Sequence, residues 1–107
     1  MPPVLTTRER AHLKSRAHSL DAIVRVGKAG LTDAVIATID KALTAHELIK
    51  VRIDAADRDE REAMASQICA RTDSAAVQRV GKILAIWRPR PDEDGEEDED
   101  GEDDRSA

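Results

Sequence analysis

The chain has 107 residues, 36% of them charged, a formal net charge of −5, one cysteine (Cys69) and one aromatic side chain (Trp87). That length suits one domain. A lone cysteine excludes an intramolecular disulfide, and no apolar run approaches the roughly 18–20 residues that span a bilayer, so a soluble protein of a reducing, cytoplasmic compartment without a membrane partner is expected.

The charge is unevenly distributed. Residues 91–107 contain eleven Asp or Glu and one Arg, whereas residues 1–90 carry 16 Lys and Arg against 11 Asp and Glu, a net +5. So acidic a segment, with almost nothing apolar, cannot offset its ordering entropy by burial. The expected organisation is a basic ordered body over residues 4–89 and a disordered acidic tail over 90–107. The tail either keeps the protein soluble or lies across the basic face and competes with weakly bound polyanions.

Thr6-x-x-Glu9 has the pattern of a capping box and predicts a first helix over about Thr7–Ala17. Its apolar content is modest (Ala11, Leu13, Ala17), and Arg8, His12 and Arg16, like Arg10 and Lys14, recur at i, i+4 on a largely basic surface. Leu20–Val26 reads as a strand. Thr32 is a good N-cap for a second helix to about Ala45, with Val35, Ile36, Ile39, Ala42 and Leu43 on one side. Leu48–Ile53 alternates, with Ile49, Val51 and Ile53 on one face and Lys50 and Arg52 on the other, as in a half-buried strand. Asp57-x-x-Glu60 caps a third helix to about Arg71 whose apolar side is Ala63, Met64, Ile68 and Cys69. Ala75–Val80 and Ile83–Arg88 form a hairpin about Gly81-Lys82, and Pro89 ends the body. The expected fold is a single compact α/β domain, α-β-α-β-α-β-β, with a mixed four-stranded sheet.

Between the first strand and the second helix stands Gly27-Lys28-Ala29-Gly30. Two glycines let the main chain approach a phosphate closely, Lys28 adds charge, and the helix start at Thr32 and Asp33 offers N–H groups. Alone, the segment is more simply an ordinary strand-to-helix turn. Asp33 is dissonant, because it favours the helix dipole but competes with an anion for the same donors. The supporting cations are Arg8, His12, Lys14 and Arg16 on the first helix, Arg25, Lys50, Arg52, Lys82 and Arg88. The set expected to bind is Gly27, Lys28, Ala29, Gly30, Arg25, Arg16, Lys14, Lys50 and Lys82.

Without Phe or Tyr the chain cannot build an aromatic platform for stacking bases, and Trp87, in phase with Ile83 and Ala85, reads as core or core edge. Three histidines and one cysteine have no zinc spacing. Asp54, Asp57, Asp59 and Glu60 lack a calcium-loop pattern, and Asp57 and Glu60 already serve a helix cap. No catalytic constellation can be assembled, so no enzyme activity, metal or cofactor is expected.

The segments Arg16-Ala-His-Ser-Leu20, Val26-Gly-Lys-Ala-Gly-Leu-Thr32, His46-Glu-Leu-Ile-Lys-Val51 and Val80-Gly-Lys-Ile-Leu84, followed by Arg88-Pro89, resemble in order and spacing the YhbY-like proteins. These are the stand-alone bacterial form of the CRM domain, named for chloroplast RNA splicing and ribosome maturation. The resemblance covers about Leu5–Pro89. It implies a fold similar to the C-terminal domain of bacterial translation initiation factor three, and a GxxG loop acting as in KH domains. It also implies binding to ribosomal RNA of the large-subunit precursor in aid of ribosome maturation; a monomer is expected. The alternative is a protein-interaction module docking on ribosomal proteins or assembly factors. The acidic tail departs from the commonest short bacterial form.

Overall fold

A computed structural model describes residues 2–90. The expectations for residues 91–107 lie outside the described residues. The elements run α1 (Thr7–Ala17), β1 (Ala22–Val26), α2 (Asp33–His46), β2 (Leu48–Ile53), α3 (Arg58–Thr72), β3 (Ala75–Val80) and β4 (Ile83–Trp87). The expected order therefore holds, and the strands form one mixed sheet in the order β1-β2-β4-β3. β1 runs parallel to β2, whereas β4 is antiparallel to both β2 and β3.

Capping sets the helix starts. Thr6 and Glu9 form the reciprocal box, with Oγ1 accepting from the Glu9 N–H at 3.0 Å and Oε1 accepting from the Thr6 N–H at 2.9 Å. Thr32 Oγ1 accepts from the Val35 N–H at 3.1 Å and Asp57 Oδ2 from the Glu60 N–H at 3.1 Å. β1 starts two residues later than predicted because the Leu20 N–H is bonded to Ala17 O at 3.0 Å, which spends Ser19 and Leu20 on the turn closing α1.

The sheet is covered on both faces, giving three layers. Under α2 and α3 lie Val24, Val26, Ile49, Val51, Ile53, Leu84 and Ile86, packed with Ile39, Leu43, Ala65 and Ile68. Under α1 is a smaller cluster of Leu13, Ala17, Leu48, Val77 and Ala85, flanked by Leu5 and Trp87. Trp87 thus sits at a core edge. Two face assignments need correction. β2 also buries Leu48, on the face expected to be basic, because α1 covers that end of the strand. On α3 the buried stripe is Ala65, Ile68 and Thr72, with Met64 and Cys69 partly covered, and Ala63 is exposed. At about 100° per residue, a stripe through 61, 64, 65, 68 and 72 turns position 63 to solvent.

The end of the body is tied down by Arg88, which sequence reading counted among the supporting cations. Its guanidinium donates to Asp40 Oδ1 (2.6 Å), Asp40 O (3.0 Å), Thr44 Oγ1 (2.9 Å) and Thr72 O (2.8 Å), joining the chain after β4 to the ends of α2 and α3. Its side chain is 18% exposed. Arg88 therefore holds the fold together, and both of its terminal nitrogens are already committed.

Two stability measurements follow. Leu43→Ala, at a side chain with no exposed surface, should cost about 2–5 kcal/mol, read as a lower denaturant midpoint at unchanged slope. Arg88→Lys should cost about 1–3 kcal/mol although charge is kept, because an ammonium cannot reproduce the forked set of four bonds.

Candidate nucleic-acid interface

The parallel register pairs Val26 with Ile53, the Asp54 N–H donates to Val26 O at 3.0 Å, and the Ile53 N–H donates to Lys82 O at 2.7 Å. These contacts gather three features at one end of the sheet: the Gly27–Gly30 loop after β1, the end of β2, and the Gly81-Lys82 turn. Lys28 and Lys82 are both exposed there.

Which sheet face the cations occupy follows from alternation. Val24 and Val26, and likewise Val51 and Ile53, point into the cluster under α2 and α3. Arg25, Lys50 and Arg52 therefore stand on the opposite face, the one shared with α1. α1 covers that face only near Leu48, Val77, Ala85 and Trp87. The remainder is open: His18, Lys50, Gln78, Val80, Ile83 and Ala85 line a shallow depression. Arg25 and Lys50 thus share one open face, and Lys28 and Lys82 are exposed at its end.

The first-helix residues are divided. Lys14 stands one turn before His18 on the flank bordering this depression. Arg16 lines a separate depression with Leu20, Ile23, His46 and Leu48, at the far end of β1 and β2.

The loop's two glycines are not equivalent. Gly30 has φ +77°, a left-handed conformation that other residues adopt at a cost, and its N–H closes the turn on Gly27 O at 3.0 Å. Gly27 has no such φ, and a Cβ built on it meets nothing within 4 Å. The fold itself therefore requires glycine at position 30 and leaves position 27 open. The Thr32 N–H, expected to face an anion, is instead bonded to Gly30 O at 3.1 Å. The N–H groups of Asp33 and Ala34 remain the first-turn donors without an intrahelical acceptor. Asp33 turns toward α3, where its Oδ1 accepts from Arg71 Nη2 at 2.9 Å, so the carboxylate meets a cation across the helix pair.

Arg52 is the member that the predicted binding set omits. The register sets it directly beside Arg25, and Asp54 accepts from both guanidiniums, from Arg52 Nε at 2.8 Å and from Arg25 Nε. The Asp54 side chain is 15% exposed, against 71% for Arg25 and 46% for Arg52. The hydrogen bond from Arg25, followed by that from Arg52, holds its carboxyl below the ordinary aspartate range. The Lys50-x-Arg52 alternation was the available signal, but the neighbour of Arg52 depends on strand pairing.

The same contacts dismantle the carboxylate cluster: Asp54 is held by two arginines and Asp57 caps α3. Among the described residues no three His, Cys, Asp or Glu side chains gather as metal ligands, and no helix is long and apolar enough to cross a membrane. Burial raises the pKa of the Cys69 thiol, a modest contrary influence being its hydrogen bond with Ser74.

The arrangement is a glycine-bracketed loop beside an open, cation-bearing sheet face, suited to an extended polyanion. Comparison with known proteins agrees in kind. The chain is 42% identical over 85 residues to an RNA-binding protein of Haemophilus influenzae, covering 79% of this chain and 86% of that one. It is 33% identical to Bacillus subtilis YqeI, named a probable RNA-binding protein, with 79% and 88% covered. The solution structure of SAV1595 from Staphylococcus aureus superposes with a TM-score of 0.75 at 32% identity, over 83% of this chain and 93% of that one. The family model of the CRS1/YhbY (CRM) domain matches residues 5–88, and the chain belongs to that family.

Proposed function

We propose that this protein binds RNA by laying a single-stranded backbone along the open sheet face and against the Gly27–Gly30 loop. In this reading its target is ribosomal RNA of the large-subunit precursor, whose maturation it assists as a cytoplasmic monomer, by binding and without covalent catalysis. The observation that carries the reading is the convergence of Lys28, Lys82 and the Arg25–Arg52 pair at one end of the sheet, with Lys50 further back on the same face as the two arginines. RNA binding by the family supports it. Gly27 supports it independently, since a glycine that its own fold does not require is explained by a partner that must come close.

Each residue then has a role. Gly27 admits the sugar-phosphate chain, Gly30 makes the turn, and Lys28 neutralises a phosphate. Arg25 and Arg52 present a paired guanidinium surface whose excess charge Asp54 halves. Lys50 and Lys82 extend the track. With no stacking platform, selectivity rests on backbone shape and on polar contacts from the depression near Gln78. Docking on a ribosomal protein is the second reading, favoured by the exposed apolar side chains Leu20, Ile23 and Val80 beside the same face.

Three measurements test the reading. Gly27→Ala should leave the unfolding free energy within about 0.5 kcal/mol of the parent and weaken RNA binding about tenfold, whereas Gly30→Ala should lose stability as well. Lys28→Ala should lower affinity and reduce the log–log salt slope by about 0.7. If neither Gly27→Ala nor Lys28→Ala alters binding, the loop is not the contact, and crosslinking in cells would then show whether ribosomal RNA is touched at all.

Asp54→Asn should tighten binding to generic RNA severalfold at low salt by releasing both guanidiniums; weaker binding would instead make Asp54 a positioning residue. The pH dependence follows from the lowered pKa. Because Asp54 titrates lower in the folded chain than in the unfolded one, its stabilising contribution is present above the unfolded value and lost as pH falls through the folded one. Between pH 7 and 5 neither stability nor RNA affinity should change through this group, and a titration following its carboxyl carbon should show a midpoint below ordinary aspartates.

A further inference from the structure

The described chain ends beside one of its own basic surfaces. The Arg88 N–H donates to Glu47 O at 3.0 Å, Arg90 Nη2 donates to Ala45 O at 2.9 Å, and Arg90 Nε pairs with Glu47 Oε2 at 3.3 Å. These bonds fix the exit of residues 91–107 at the end of α2. There Glu47 and Trp87 line a depression together with His12 and Arg16 of α1. Arg16 and His46 also line the adjoining depression with Leu20 and Ile23. What leaves the body at this point carries eleven carboxylates and one basic residue in seventeen.

We infer that residues 91–107 dock in cis on a track from Arg16 along the β1 side of the open face to Arg25 and Arg52, occupying part of the surface proposed above for RNA. The inference extends that RNA-binding reading by giving its site an internal competitor. Length permits it. Trp87 is paired with Leu48, and Arg52 lies four residues further along β2, about 13 Å at the strand rise. The random-coil expectation for seventeen residues is an r.m.s. reach of about 23 Å, and like charges lengthen it.

Charge favours the same path. The carboxylates near the track are Asp21, beside Arg16, and Glu47 and Asp54, both engaged with arginines. Arg16 forms no ion pair among the described residues and is the first unpaired cation that the exiting segment meets. Tethering turns a weak contact into one of high effective concentration. Multiple phosphates on an extended RNA can displace it, whereas a few contacts from a short generic RNA compete poorly. The consequence is a filter that favours sites offering more than charge.

The test compares the full chain with a full-length variant in which the eleven Asp and Glu of residues 92–104 are replaced by Asn and Gln. Backbone amide spectra are recorded without RNA, and affinity is measured for a single-stranded uridine 12-mer. Docking should shift the amides of Arg16, Ile23, Arg25 and Arg52 between the two proteins. The variant should bind the 12-mer about fivefold or more tightly near 50 mM salt, and the difference should fade by about 0.5 M as screening shortens the range of the interaction. Arg16→Ala in the full chain should reduce the shift differences along the track. Tighter binding without amide changes means long-range repulsion, and overturns docking; so does the absence of both effects. Amide changes with no RNA binding by either protein would uphold docking and overturn the RNA-binding reading instead.

Discussion

The position of β2 between β1 and β4 determines almost everything else in this molecule. It is the strand that pairs in parallel on one side and antiparallel on the other, and both of its faces carry buried side chains, Ile49, Val51 and Ile53 toward α2 and α3 and Leu48 toward α1. Parallel pairing with β1 demands a crossover, which α2 supplies. That crossover places the turn leaving β1 next to the end of β2. The Gly27–Gly30 loop, Arg52 and the hairpin turn are neighbours for this reason, although they are far apart in the sequence.

Much of this was legible before any coordinates. Helix starts were readable because Thr6, Thr32 and Asp57 carry their own capping chemistry, a local interaction. The buried faces of α2 and of most of β2 were readable from period alone. What failed to appear depended on contacts between distant elements. The burial of Leu48 is a property of α1 lying over it. The displacement of Ala63 by Ala65 reflects which side of α3 meets the sheet. The commitment of Arg88 to Asp40, Thr44 and Thr72 follows from where three elements end.

The candidate site divides in the same way. The glycine loop and its lysine were visible as a motif, and similarity of several segments gave the motif its context. The inequality of Gly27 and Gly30 was not visible, since one letter serves both a backbone that needs φ +77° and one that does not. Nor was the Arg25–Asp54–Arg52 arrangement, because the strand register that sets two arginines side by side can be known only once β1 and β2 are aligned.

The arginines and lysines of the body have separated by task, which bears on how it would hold a mobile polyanion. Arg25, Arg52, Arg71, Arg79, Arg88 and Arg90 are each engaged by a carboxylate, and several of these pairs join elements distant in the chain. A guanidinium is suited to that work because its planar fork holds two acceptors in fixed geometry. Among the described residues, no ion pair involves Lys14, Lys28, Lys50 or Lys82. An ammonium on a flexible stem follows a phosphate that moves, at little cost in geometry. The body thus uses its arginines mainly to fix its own shape and leaves these lysines outside such pairs, so that on the proposed track the Arg25–Arg52 pair alone supplies a rigid reference. Binding on such a track would be electrostatic, salt-dependent and readily reversible.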